Sequence, residues 1–351
     1  MKSAQFPISK IRDLANGQAR RLDGSDGQAP SWHLWKRREV NAITIALASQ
    51  RPLLVRGEPG TGKSQLARAA AAALGWPLHS STLHIRSEAQ DLLYQFDAVR
   101  RLADAQSQRW GQDGFTPDVE KGYWQPQALW KALDWDSAHD YGSLRPPGPG
   151  AAKPPAPAGH VVLIDEIDKA PSDVPNGLLE VLGARCFDIP GIPLHVQASG
   201  SGQWPLVIIT TNEERELPAA FIRRCMVLTH DAEPEGGYAR FLVDHGLAHF
   251  GRGREGATAF MDETLLRAAA AQLNADRMRA RAAQMVPPGL AEYLDLLYAL
   301  HQLAPDDTTA QKQWLTQLNQ YADLKNRIED GGDPGLRQRA SGQRPLDGQT
   351  E

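Results

Sequence analysis

The sequence predicts an α/β fold in which a parallel β-sheet lies between helices and a smaller all-α region follows. Two apolar runs rich in β-branched residues, His160–Asp168 and Trp204–Asn212, have the composition of buried parallel strands. A third, Pro52–Arg56, leads into a glycine-rich loop and then into an alanine-rich helical segment. Beyond residue 237 the chain becomes rich in Ala, Leu and Arg, with apolar residues at helical spacing.

The loop after Pro52–Arg56 fits the phosphate-binding pattern G-x-x-x-x-G-K-[S/T]. Its glycines let successive backbone N–H groups point at phosphate oxygens, and the dipole of the next helix adds partial positive charge. Lys63 brings a mobile charge to the β- and γ-phosphates, and the Ser64 hydroxyl is placed to ligate Mg²⁺. The flanking strand and helix favour a nucleotide site over a glycine-rich turn that happens to precede Lys-Ser. The candidate residues are Gly57, Glu58, Pro59, Gly60, Thr61, Gly62, Lys63 and Ser64.

Two acidic residues follow the predicted strand within His160–Asp168. We expect Asp165 to lie beside the glycine loop and to hold the Mg²⁺ shell, and Glu166 to polarise a water for in-line attack on the γ-phosphorus. The alternative is an acidic first turn of the next helix, where Asp and Glu interact well with the helix dipole. The phosphate-binding pattern about a hundred residues upstream favours the catalytic interpretation.

An amide and two arginines complete the candidate set. Asn212, at the end of Trp204–Asn212, can orient the attacking water, although Asn is equally common where a strand turns into a loop. Arg223 and Arg224 end a short predicted helix that begins at Pro218. They either contact the last carbonyls of that helix, or one of them reaches the γ-phosphate of a neighbouring subunit.

In this order the motifs resemble those of AAA+ ATPases: Walker A at 57–64, Walker B at 161–166, sensor 1 at Asn212 and an arginine finger at Arg224 or Arg223. The stretches LLVRGEPGTGKS, VVLIDEIDKAP, GLLEVL and ELPAAFIRRC are most similar to the MoxR-like family, and the resemblance covers roughly residues 35–300. One position departs from it. Relatives often carry a basic sensor 2 residue where this chain has Gln284–Glu292, and Arg279 and Arg281 nearby could substitute.

The resemblance implies a P-loop AAA+ core, a helical lid, and ATP and Mg²⁺ as cofactors. It also implies a homo-oligomeric ring, a hexamer, that hydrolyses ATP to remodel or assemble a protein client, with a von Willebrand factor A domain protein as a partner. At the finger position it favours Arg224, with Arg223 next.

Two other functions remain open. A slow, ATP-dependent regulatory switch or scaffold is favoured by the lack of a basic residue at the expected sensor 2 position. A DNA-directed motor resembling McrB-like GTPases is disfavoured by the net charge of −4 and by the absence of an N-K-x-D guanine motif. We therefore expect no nucleic-acid partner.

The 351 residues allow two or three domains. The two cysteines, Cys186 and Cys225, argue against a disulfide framework. The chain has no apolar run of membrane-spanning length and opens with no secretory signal, so we expect no membrane partner and a cytoplasmic location.

We expect a mobile lead-in at 1–34, a core at 35–233 with an insertion at 90–159, a helical lid at 234–330 and a disordered tail at 331–351. Within the insertion, the aromatic-rich stretch 90–145 either contacts a substrate or partner, or packs as a small subdomain. Lid helices are predicted over Tyr238–His249, Asp262–Ala283, Gly289–Leu303 and Thr309–Asn326.

Overall fold

The structure is a computed structural model that describes residues 5–24, 30–107, 117–141, 155–198, 204–230, 236–251 and 260–318. The described residues up to Phe241, together with Gly289–Ala291, pack as one compact unit. Those of Leu242–Pro288 and those from Glu292 onward pack as a second.

Strands occur in the first unit. They are β1 (Ala19–Leu22), β2 (Ser31–Leu34), β3 (Leu53–Arg56), β4 (Leu78–Thr82), β5 (Tyr94–Phe96), β6 (Trp124–Pro126), β7 (Val161–Asp165), β8 (Cys186–Asp188), β9 (His195–Gln197), β10 (Leu206–Thr211) and β11 (Met226–Thr229).

Helices occur in both units. They are α1 (Gln5–Arg12), α2 (Arg37–Ser49), α3 (Lys63–Leu74), α4 (Ala98–Gln106), α5 (Pro117–Lys121), α6 (Ala128–Leu133), α7 (Trp135–Asp140), α8 (Asp173–Ala184), α9 (Ala219–Arg224), α10 (Tyr238–Phe250), α11 (Glu263–Ala282), α12 (Leu290–Leu303) and α13 (308–318).

The core of the first unit is a five-stranded parallel sheet in the order β11-β3-β10-β7-β4. All six residues of β10 are buried, as are the first four of β7, because helices cover both faces of the sheet. The predicted α/β core with a helical region after it is confirmed.

All strands of this parallel sheet end on one side, its carboxyl edge, and begin on the opposite side, its amino edge. At its carboxyl edge, the glycine loop follows β3, Asp165 ends β7 and Asn212 follows β10. At its amino edge, α9 ends at Arg224 directly before β11 begins. Ligands of open α/β sheets bind at the carboxyl edge, so the glycine loop, Asp165 and Asn212 lie where a nucleotide site is expected.

The N-terminal region differs from the mobile lead-in predicted for 1–34. Its described part contains α1 and the antiparallel β1–β2 hairpin, and the side chains of Ile11 and Leu22 are buried against the core. A few apolar residues anchor this segment. They are spaced through a polar stretch, so its average composition did not indicate that it folds.

The described part of the insertion packs against the core sheet. Trp124 and Trp130 are buried and belong to the same apolar cluster as β7 and β10. This packing favours the structural interpretation of these aromatic residues. Phe115 and most of the proline-rich stretch 146–159 lie outside the described residues.

The described part of the second unit is helical. Three predicted lid helices are confirmed as α10, α11 and α12, and α13 covers the described part of the fourth. Asp262 caps α11 as predicted, since its carboxylate accepts the Thr264 N–H at 2.9 Å. The predicted tail 331–351 lies outside the described residues.

Cys186 and Cys225 form no disulfide with each other in this structure, and Cys225 is buried. Within the described ranges, no helix is both long and apolar enough to cross a bilayer.

Candidate active site

The glycine loop has a backbone that requires glycine at three positions. Gly57, Gly60 and Gly62 have φ of 149°, 72° and 87°, which L side chains rarely adopt. Gly57 is further restricted, because a Cβ there would lie 2.6 Å from the His230 carbonyl oxygen. Helix α3 begins at Lys63, so its N-terminal N–H groups open onto the loop.

Lys63 lies inside the loop. Its Nζ donates to the carbonyl oxygens of Gly57 and Glu58, both at 2.8 Å, and the residue is only 7% exposed. Burial lowers the pKa of Lys63, and Asp165 and other nearby carboxylates oppose this shift. The ammonium is held inside the loop by these two carbonyl oxygens. When a nucleotide binds, the hydrogen bonds of Lys63 can shift from the carbonyls to phosphate oxygens.

Ser64 and Asp165 meet across 101 residues of sequence. The Ser64 hydroxyl donates to both carboxylate oxygens of Asp165, at 2.8 and 2.9 Å, and the Thr210 hydroxyl donates to the same carboxylate. A serine hydroxyl beside a carboxylate fits Mg²⁺, which typically takes one or two protein oxygens and completes its shell with phosphate and water.

Glu166 has a left-handed backbone, with φ 59° and ψ 48°. Such a conformation is costly for a residue other than glycine and is often found at functional sites. Its N–H donates to the Thr210 hydroxyl at 3.0 Å, and its carboxylate lies 3.0 Å from Lys169 Nζ. Thr210 therefore contacts both acidic residues and sets their relative position.

Asn212 lies at the same edge and is tied to Asp168. The N–H groups of Asn212 and Glu214 donate to Asp168 Oδ2 at 3.1 and 3.0 Å, and Asp168 is buried. The loop after β10 and the turn after β7 are thus joined through one buried carboxylate.

Arg223 and Arg224 are not part of this cluster. Both lie exposed at the end of α9, at the amino edge of the sheet. The strands β11 and β3 run in register from Met226 opposite Leu53 to Thr229 opposite Arg56, and the glycine loop begins only after Arg56. The length of these strands, about 10 Å, separates the arginines from the loop of their own chain.

A buried polar cluster of His33, Glu39 and His230 contacts the glycine loop. His230 Nδ1 lies 3.3 Å from the Thr61 carbonyl oxygen, and its Nε2 lies 3.4 Å from Glu39 Oε1. His33 Nε2 lies 3.2 Å from the other Glu39 oxygen. Burial alone would raise the pKa of Glu39, but the hydrogen bond from His33 and the nearby positive groups lower it to about 2. Glu39 is therefore a buried anion at neutral pH.

Sequence reasoning missed Thr210, Asp168 and His230. A hydroxyl at the end of an otherwise apolar buried run was a usable signal for Thr210, and Asp168 lies only three residues beyond Asp165. No local signal pointed to His230, because its contact with Thr61 joins residues 169 apart.

Acid should destabilise the protein through three histidines. Burial lowers the pKa of His79, His160 and His230 to about 4, from an ordinary value of 6.5. As pH falls below 6.5, the unfolded chain takes up protons that these folded imidazoles do not, so the free energy of unfolding falls toward pH 4. Each can contribute up to about 1.4 kcal/mol per pH unit.

Urea unfolding at intervals between pH 6.5 and 5 measures this slope, in a range where carboxylates of ordinary pKa are still ionised. A free energy of unfolding that stays constant across the range would contradict the prediction.

Residues 52–225 match the family model described as AAA domain (dynein-related subfamily). These residues form an AAA domain. The match includes the glycine loop, both acidic residues, Asn212 and the two arginines, and it ends just before β11. Such a domain implies ATP binding, typically with Mg²⁺. Comparison with curated proteins returns no match to this sequence.

Solved structures similar to this chain include a "putative ATPase" from Cytophaga hutchinsonii, at 13% identity and a TM-score of 0.39, which covers 78% of this chain. This chain spans 63% of that protein's length. A single-residue variant of RuvB from Thermotoga maritima matches at 12% identity and a TM-score of 0.41, covering 80% of this chain and 67% of its own.

Proposed function

We propose that this chain is one subunit of an ATP-hydrolysing ring, of MoxR-like type, that remodels or assembles a protein client. The observation that carries the proposal is the separation of the arginines from the glycine loop of their own chain. Arg223 and Arg224 lie at the amino edge of the sheet and the loop lies at its carboxyl edge. A finger in this position can serve only a nucleotide held by another copy.

Each residue at the carboxyl edge has a role in the proposed reaction. The N–H groups of the loop Gly57–Ser64 and the Lys63 ammonium would hold the phosphates of ATP, while Ser64 and Asp165 would hold Mg²⁺, which neutralises phosphate charge when bound. Glu166 would take the proton of the attacking water, and Asn212 would orient that water. Arg224, or Arg223, of a neighbouring copy would stabilise the charge that develops on the γ-phosphate.

The sequence resemblance supports the partners. It favours a homohexamer, a protein client and a von Willebrand factor A domain partner. The net charge of −4 disfavours nucleic acid. A cytoplasmic location is proposed on other grounds, the low cysteine content and the lack of an apolar run of membrane-spanning length. The second candidate is a slow regulatory switch, favoured by the ion pair that engages the Glu166 carboxylate with Lys169 at 3.0 Å. A client that raises ATP turnover would support remodelling, whereas turnover that stays slow with every client would support the switch.

Mixing two inactive variants tests the shared site. The site-bearing variant carries Arg223→Ala and Arg224→Ala, and the finger-donating variant carries Glu166→Gln. Each should hydrolyse ATP slowly alone, because one lacks the finger and the other lacks the base. Combined before ATP is added, they should form mixed rings whose rate exceeds the sum of the separate rates by about tenfold or more, since a finger contributes at least that much.

Phosphate release measures the rate, and size-exclusion chromatography with light scattering measures assembly. A mixture no faster than the sum of its parts, although the mixed assembly forms, would contradict a site shared between copies.

A further inference from the structure

Arg51 makes a two-pronged contact with the end of the helix that carries both candidate fingers. Its Nε donates to the Arg224 carbonyl oxygen at 3.0 Å, and its Nη2 donates to the carbonyl oxygen of Arg223. These partners lie 173 and 172 residues away along the chain. Nothing in the sequence pattern pointed to Arg51.

The contact satisfies groups that α9 cannot satisfy itself. The last carbonyls of a helix have no intrahelical N–H partner, and a planar guanidinium can bind two of them at once. At six residues, α9 is too short to be stable alone, so tertiary contacts must set its direction. Phe221 is fully buried on one side of α9, and Arg51 holds its carboxyl end.

Arg51 also connects this helix to the strand that leads into the glycine loop. It lies directly before Pro52 and β3, and the Pro52 carbonyl oxygen accepts the Met226 N–H at 2.8 Å. The end of α9 is therefore fixed to the amino end of β3 by both a backbone and a side-chain contact.

We propose that Arg51 is a positioning residue for the arginine finger. It acts through the carbonyls of Arg223 and Arg224 and directs their side chains toward the nucleotide of the neighbouring copy. Arg51 lies at the amino edge of the sheet, so its effect is on the site that its chain completes and not on the site that its chain contains. This inference rests on the proposed function.

The mixed-ring experiment separates these two sites. Arg51→Ala is introduced either into the finger-donating variant (Glu166→Gln) or into the site-bearing variant (Arg223→Ala with Arg224→Ala). In the finger-donating variant it should lower the restored rate about tenfold, as expected for lost hydrogen bonds from a charged donor. In the site-bearing variant, whose fingers are already absent, it should change the rate by less than about twofold.

Arg20→Ala in the finger-donating variant is the matched control. Arg20 also donates from its guanidinium to a helix carbonyl, that of Ala72 at 2.8 Å, but this helix is α3 and not α9. The control should leave the restored rate unchanged. Arg51→Lys, which keeps the charge but not the planar fork, should recover part of the rate that Arg51→Ala loses.

A structural role alone would predict a different result. Equal loss from both partners, or a fall in melting temperature and in affinity for a fluorescent ATP analogue that accounts for the lost rate, would overturn the proposal, as would no loss at all. If the parent mixture without any Arg51 change fails to regain activity, the shared site itself is wrong. That outcome is distinct from a failure of Arg51 alone.

Discussion

Replacing Lys63 with alanine should reduce ATP affinity by more than about a hundredfold, because the substitution removes charge-assisted hydrogen bonds to two phosphates. The structure explains why the effect should be large for Lys63. Lys63 Nζ already lies within 2.8 Å of the Gly57 and Glu58 carbonyl oxygens, so the ammonium is held in the loop and moves only a short way to reach a phosphate. Equilibrium titration with a fluorescent ATP analogue measures the affinity.

Lys10→Ala controls for the loss of a lysine at the same helix. Lys10 Nζ donates to the Leu74 carbonyl oxygen at 2.8 Å, at the opposite end of α3 from the glycine loop. This variant should bind ATP as the unaltered protein does. If Lys63→Ala retained affinity within a few fold, or if Lys10→Ala lost as much, Lys63 would not be the phosphate-binding lysine.

Local chemistry explains which parts of the fold and site the sequence could predict. The glycine loop follows from three glycines at required spacing, and the strands β7 and β10 follow from apolar runs long enough to be buried on both faces. The cap at Asp262 needed only its own residue type and the helical pattern after it.

Contacts between distant segments explain what the sequence could not predict. His230 contacts the glycine loop only because β11 lies beside β3, and Arg51 contacts α9 for the same reason. A buried carboxylate such as Glu39 cannot be recognised until His33 and His230 are brought to it from different strands and loops. Periodicity specifies faces of single elements but not which elements are neighbours.

The N-terminal segment 1–34 shows that composition can also hide structure. Its polar, glycine-containing composition indicated mobility, yet α1 and the β1–β2 hairpin fold because Ile11 and Leu22 find apolar partners on α2 and α3. Average composition is a weak guide where a few anchors stabilise a short segment.

Glu166→Gln should lower the rate of ATP hydrolysis by about a hundredfold or more while leaving ATP bound and the ring assembled. Gln has the same shape and can keep the left-handed backbone at this position, but it cannot accept a proton from water. The contacts of Lys63, Ser64 and Asp165 do not involve the Glu166 side chain, so nucleotide affinity should be retained. Phosphate release and analogue binding are measured on the same preparation.

The ion pair between Glu166 and Lys169 requires its own control, since Glu166→Gln removes that pair along with the base. Lys169→Gln breaks the same 3.0 Å contact but leaves the carboxylate in place, so hydrolysis should stay within a few fold of the unaltered rate. A comparable loss in both variants would assign the effect to the ion pair. Wild-type turnover in Glu166→Gln would instead require a different base, and Glu213 and Glu214, just beyond Asn212 on the loop that Asp168 holds, would be the next residues to replace.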